Sequence, residues 1–270
     1  MFGLENKRLF LFDIDGTLAV GEDLFEGTRR LLEYIDHIGG KAFYITNNST
    51  KSGKDYVKKF EKWGIRTEEE QFVTSGYMAK DYLKKHCADR QIFVLGTASF
   101  VQELRSCGLD ITEEVTPCVS CVLAAYDSEL TYRKLERACE LLVRPDVEYL
   151  ATNPDLCCPA PFGFIPDCGA ICNMLEASTG RVPRYLGKPS AQVVELCLER
   201  SGISKEETLV VGDRLYTDIA CGIAAGVETC VVFTGEADRK DIVHTPYFPD
   251  YCVENVGELL DKCIDVYTIV

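Results

Sequence analysis

Apolar residues in this chain gather into short runs that stop abruptly at polar residues or glycine. Leu9 to Phe12 stops at Asp13, Ala42 to Ile45 at Thr46-Asn47-Asn48-Ser49, Leu209 to Val211 at Gly212-Asp213-Arg214, and Thr229 to Phe233 at Thr234-Gly235. Unbroken runs of this length suit strands buried on both faces of a parallel sheet. Between the first two, Leu31, Leu32, Ile35 and Ile38 recur on one helical face, predicting a helix over Thr28 to Ile38 that ends at Gly39-Gly40. Strands alternating with helices predict an α/β fold with a doubly wound parallel sheet, whose ligands bind beyond the strand C-termini. The polar ends of the four strands would then face one site.

The middle of the chain has its own cycle. Ile92 to Leu95, Val119 to Ala125 and Glu148 to Ala151 read as strands, with helices near Ser99 to Cys107 and over Tyr132 to Val143. This predicts a second α/β unit inserted into the first: a discontinuous core of about 1–76 plus 184–270, and an inserted domain of about 77–183.

Asp13 and Asp15 change the picture, because the first strand drives two carboxylates into the place where it ends. Held about 4 Å apart, two such charges repel by about 4 kcal/mol at the effective dielectric of a protein site. The pair asks for a metal ion or a shared proton. Alone, such a pair is most often a solvated turn.

The motifs Asp13-x-Asp15-Gly16-Thr17, Thr46-Asn47, Gly187-Lys188-Pro189 and Gly212-Asp213-Arg214 with Asp218, in this order and on these elements, resemble the haloacid dehalogenase-like superfamily, specifically its NagD-like class IIA phosphatases. The likeness extends to Ala151-Thr152-Asn153-Pro154-Asp155 and spans nearly the whole chain. Only 30 positions separate Gly16 from Thr46, while 142 separate Thr46 from Lys188, where a class IIA cap belongs. The resemblance implies a Rossmann-like core with an α/β cap, hydrolysing small phosphate monoesters such as sugar phosphates or nucleotides. Asp13 would be the nucleophile that forms an aspartyl-phosphate. Asp15 would be the general acid and base. Thr46 and Asn47 would bind phosphoryl oxygens, and Lys188 would supply the point charge for the transition state. Mg²⁺ is expected on Asp13, the Asp15 carbonyl and Asp213, with Asp218 supporting the metal or Lys188; read as a sequence position, Asp218 is equally a helix N-cap. Gly16, Asn48 and Arg214 complete the phosphate site, although Arg214 could equally pair with a surface carboxylate. Asp167 and Cys168, in the cap loop Phe164 to Ala170, are expected to read the leaving group. A transferase passing the phosphoryl group to another acceptor and a non-catalytic sensor of phosphorylated ligands are the rival functions, and a homodimer is plausible by resemblance.

Charge and cysteine content narrow the partners. Among the 270 residues, 29 basic and 43 acidic side chains give a formal net charge of −14, which argues against nucleic-acid and anionic-membrane partners. The chain has no long apolar run and no signal-like N-terminus, so a cytoplasmic protein is expected, with its 14 cysteines as thiols in a reducing compartment. Cys118 and Cys121 have the spacing of a metal chelate, but no second pair follows. Gly187-Lys188 is not a P-loop, because the preceding glycine is Gly180 and proline follows the lysine. Asn48-Ser49-Thr50 is a chance match to a glycosylation acceptor.

Overall fold

The computed structural model describes residues 3–49, 51–160 and 162–264; Thr50 of the acceptor match lies outside them. In chain order the strands and α-helices are β1 (Leu9–Phe12), β2 (Ala19–Val20), β3 (Asp23–Leu24), α1 (Thr28–His37), β4 (Lys41–Thr46), α2 (Gly53–Lys62), β5 (Phe72–Thr74), α3 (Ser75–His86), β6 (Gln91–Leu95), α4 (Ala98–Ser106), β7 (Asp110–Thr112), β8 (Val119–Ala124), α5 (Tyr132–Leu142), β9 (Glu148–Ala151), β10 (Cys157–Ala160), β11 (Gly163–Pro166), α6 (Cys168–Thr179), β12 (Arg184–Tyr185), α7 (Ala191–Ser201), β13 (Thr208–Gly212), α8 (Ala220–Ala225), β14 (Glu228–Val232), β15 (Tyr251–Val253) and α9 (Val256–Ile264). Two compact units divide the chain. One comprises Met1–Thr46, Gly53–Val73 and Lys188–Val270, the other Asn47–Ser52 and Thr74–Gly187.

The first unit is built on a six-stranded sheet in the order β15-β14-β13-β1-β4-β5. β1 runs parallel to β13 with Phe12 beside Val211, and parallel to β4 with Phe12 beside Tyr44. All four β1 residues are buried, as an apolar run with no alternation requires. The chain leaves β1 toward β4 on one side and returns to β13 on the other, so the order reverses beside β1. Crevices at such a switch point are where open α/β sheets bind ligands. Beneath it, Phe10, Phe12, Tyr44, Phe60, Phe72, Leu209 and Val211 pack with Leu31, Ile35, Leu259 and Leu260 of the flanking helices.

The second unit holds a five-stranded sheet in the order β12-β9-β8-β6-β7. Alternate strand residues feed opposite faces. Ile92, Val94, Cys121 and Leu123 pack with Phe100 and Leu104 of α4, whereas Phe93, Leu95, Val122 and Ala124 pack with Leu141 of α5 and Ile171 of α6. β2–β3 and β10–β11 are antiparallel hairpins outside both sheets. No helix among the described residues is long and apolar enough to cross a membrane.

Candidate active site

The site in the first unit begins where β1 stops. Asp13 continues the ladder by one hydrogen bond, donating its N–H to Val211 O at 2.9 Å. The chain then turns: Leu18 and Ala19 both donate to Ile14 O. Gly16 has φ +98°, a conformation that side chains disfavour, and a Cβ there would lie 2.6 Å from Asp213 Oδ2. Thr234 at the end of β14 donates its hydroxyl to Gly16 O at 2.6 Å, so the polar end of a third strand fixes the same turn.

Lys188 joins the carboxylates. Its Nζ donates to Asp13 Oδ1 at 2.5 Å, to Asp218 Oδ1 at 2.6 Å and to Ile45 O at 2.9 Å, with the residue only 2% exposed. Burial alone would lower an ammonium pKa, but the two carboxylates outweigh it and hold Lys188 protonated above its ordinary range. Asp218 does not cap a helix. It lies in the π-turn Leu215–Ile219 ahead of α8, and its Oδ2 accepts the N–H of Arg214, four residues earlier, at 3.0 Å. α8 starts at Ala220, one position later than an N-cap at Asp218 requires, and the π-turn moves Asp218 inward onto Lys188. Gly212 makes this possible, since a Cβ there would overlap the Asp218 side chain.

Asp213 ends β13. Thr17 donates its hydroxyl to Oδ1 at 3.3 Å and Glu236 its N–H to Oδ2 at 2.8 Å. Oxygens of Asp13, Asp213 and Asp218 lie within 4.8 Å of one another. Burial, with Asp218 adding to it, pushes the Asp213 carboxyl up to about 6. Burial also raises Asp13, and the Lys188 charge opposes without cancelling it. Three carboxylates against one ammonium, with Asp13 and Asp213 raised toward protonation, offer the oxygen ligands that a hard divalent cation such as Mg²⁺ prefers.

The other expected residues stand outside the carboxylate cluster itself. The Asp15 carboxylate is outside this cluster and faces Lys59 on α2, with Oδ1 3.4 Å from Nζ. Arg214 pairs with Glu236, Nε to Oε2 at 2.9 Å. Thr46, 5% exposed, closes β4. In the second unit Asn47 is buried, donating Nδ2 to Asp155 Oδ2 at 2.7 Å and accepting the Ser75 hydroxyl on its carbonyl at 2.7 Å; Asn48 follows, half-buried. Asp167 caps α6 by accepting the N–H of Cys168 at 2.6 Å, and also accepts from Asn153 Nδ2 at 3.4 Å. The Cys168 thiol is buried against Ala124 O and its pKa raised. Cys118 and Cys121 do not form a chelate. Cys118 is exposed, while Cys121 is buried near Cys87 and Glu148, where Arg90 already supplies the cation by donating to both of these. Thr17, in the first motif, and Thr234, at the polar end of the run Thr229 to Phe233, were marked by sequence without a role, and Glu236 carried no signal. Lys59 carried none.

Two family models match the chain: haloacid dehalogenase-like hydrolase over residues 10–110 and HAD-hydrolase-like over residues 185–259. An acid sugar phosphatase of Staphylococcus aureus is 32% identical over 257 residues, 95% of this chain and 98% of that one. The crystal structure of a 4-nitrophenylphosphatase from Thermotoga maritima superposes with a TM-score of 0.89 at 36% identity, covering 97% of this chain and all of the other. That of a glycerol phosphate phosphatase from Mycobacterium tuberculosis, in complex with magnesium, gives 0.86 at 25% identity over 96% of this chain and 78% of that one.

Proposed function

The chain belongs to the haloacid dehalogenase-like hydrolases as a NagD-like class IIA phosphatase, and from that premise we propose that it cleaves small sugar-phosphate monoesters through a phosphorylated Asp13. The observation that carries this reading is the buried Lys188 ammonium bridging Asp13 and Asp218 at the sheet's switch point. Sugar phosphates come first because that is the activity named for the S. aureus relative.

Asp13 Oδ2 forms a bond to phosphorus in line with the departing oxygen, and the ester P–O bond breaks. Lys188 and the Thr46 hydroxyl balance charge on the phosphoryl oxygens. Asp15 gives its proton to the leaving alkoxide, then takes one from the water that attacks the aspartyl-phosphate, releasing phosphate and restoring Asp13. Asp13, Asp213 and the Asp15 carbonyl would hold Mg²⁺, with Asp218 fixing Lys188. When bound, the ion supplies the positive charge that keeps these carboxylates ionised and polarises the phosphoryl group. Fourteen cysteines, none of them in a disulfide among the described residues, support a reducing, cytoplasmic setting.

The test is phosphate release from 4-nitrophenyl phosphate and a sugar-phosphate panel with Mg²⁺, with EDTA and with Asp13→Asn. Activity lost in both controls, with radiolabelled phosphate trapped on Asp13 in quenched wild-type enzyme, is expected. Full turnover by a folded Asp13→Asn protein overturns the assignment.

A further inference from the structure

Lys59 is a lysine where the fold wants an apolar residue. It stands on the core-facing side of α2 between Tyr56 and Phe60, all three buried. Lysines are rarely buried unless paired, because an ammonium loses its hydration there. The side chain of Lys59 is 7% exposed, and its anionic partner among the described residues is Asp15, Oδ1 to Nζ at 3.4 Å, itself 38% exposed. The ammonium also lies 4.9 Å from the centre of the ring of Trp63, the residue just past the end of α2. That ring is anchored by its own N–H, which donates to Glu22 O at 2.6 Å in the β2–β3 hairpin. Lys59 is thus held on two sides with its charge aimed at one oxygen of Asp15. An aliphatic side chain would fill the same space without the desolvation penalty.

We propose that Lys59 is a positioning residue for the proton-transfer step: it holds Asp15 Oδ1 so that Oδ2 faces the leaving group. This rests on the reading of Asp15 as the general acid. Asp15 sits on a turn, partly in solvent, where an unrestrained carboxylate samples several rotamers. Proton transfer needs the heavy atoms within hydrogen-bond reach, so fixing one oxygen raises the fraction of encounters in which the other can act. Lys59 touches neither phosphorus nor the departing oxygen, and acts through Asp15.

The leaving group separates this role from a structural one. A sugar alkoxide needs its proton, whereas 4-nitrophenolate departs without one. In Lys59→Met, kcat for the sugar phosphate hydrolysed best is expected to fall on the order of tenfold, and kcat for 4-nitrophenyl phosphate much less. Lys59→Arg, which keeps the charge, is expected to recover most of the loss. Lys59→Gln is the second variant should the methionine protein not fold, with thermal denaturation checking each. Equal losses on both substrates, or none, overturn the inference. Asp15→Asn is run alongside: if it shows the leaving-group split and Lys59→Met does not, the general-acid reading stands and the role of Lys59 falls. If Asp15→Asn shows no split, the general-acid reading fails first.

Discussion

Asp213 shows how a single side chain trades stability for chemistry. Its carboxyl, pushed up to about 6 mainly by burial, binds a proton more tightly in the folded protein than in the unfolded chain, where the ordinary value is near 3.8. The unfolded state therefore ionises first. The metal-free fold loses stability as pH rises from about 4 through about 6, reaching a penalty of about 3 kcal/mol above that window. Asp13 is shifted the same way and adds to the slope. In EDTA, Tm is expected to fall on the order of 5–10 °C between pH 5 and pH 8, and Mg²⁺ to restore it at pH 8 but not at pH 5, where protons compete for the same oxygens. Asp213→Asn should flatten that profile and abolish the Mg²⁺ response together. A metal-free Tm independent of pH would show that the carboxylates are not in conflict. Gly212 is a second single-residue lever. A Cβ there would overlap Asp218, so Gly212→Ala is expected to displace the partner of Lys188 and lower kcat by about a hundredfold, with substrate binding affected less.

At the level of elements, the site is only as firm as the strand that presents it. Phe10 and Phe12 of β1 are fully buried with ring centres 6.0 Å apart, so Phe10→Ala should cost about 3–5 kcal/mol in urea unfolding, while the folded enzyme keeps its pH profile. β1, β4, β13 and β14 were legible within a residue or two because consecutive apolar positions report burial on both faces, and their polar C-termini pointed to one site. α1 and α5 were legible from one-sided patterns. By contrast, β5, β7 and β15 have three residues each, too few for any period to show. α6, CGAICNMLEAST, carries its Asp167 cap, but apolar residues spread round it blur a helical stripe. Asp218 was legible as important but not in its role, because the π-turn that moves it off the cap position leaves no mark in sequence. Lys59 was invisible: in a row of lysines it reads as a solvated face, and its meaning comes from a carboxylate 44 positions earlier.

At the level of the whole molecule, a net charge of −14 sets a field that the site must overcome. A phosphate monoester carries about two negative charges at neutral pH, so on the proposed mechanism an approaching substrate is repelled until it reaches Lys188. That repulsion extends about 30 Å at 0.01 M ionic strength but only about 8 Å at 0.15 M, whereas the buried Lys188 cluster is screened far less. Adding KCl at constant free Mg²⁺ should therefore raise kcat/KM severalfold from its low-salt value while leaving kcat nearly constant, since the bound substrate already lies inside the screened region. The same field disfavours phosphate on a nucleic-acid backbone, where many charges approach together and no single ammonium can compensate. A kcat/KM that falls from the lowest salt onward would mean that the local cations dominate even at long range. The net charge would then say little about which anions reach the site.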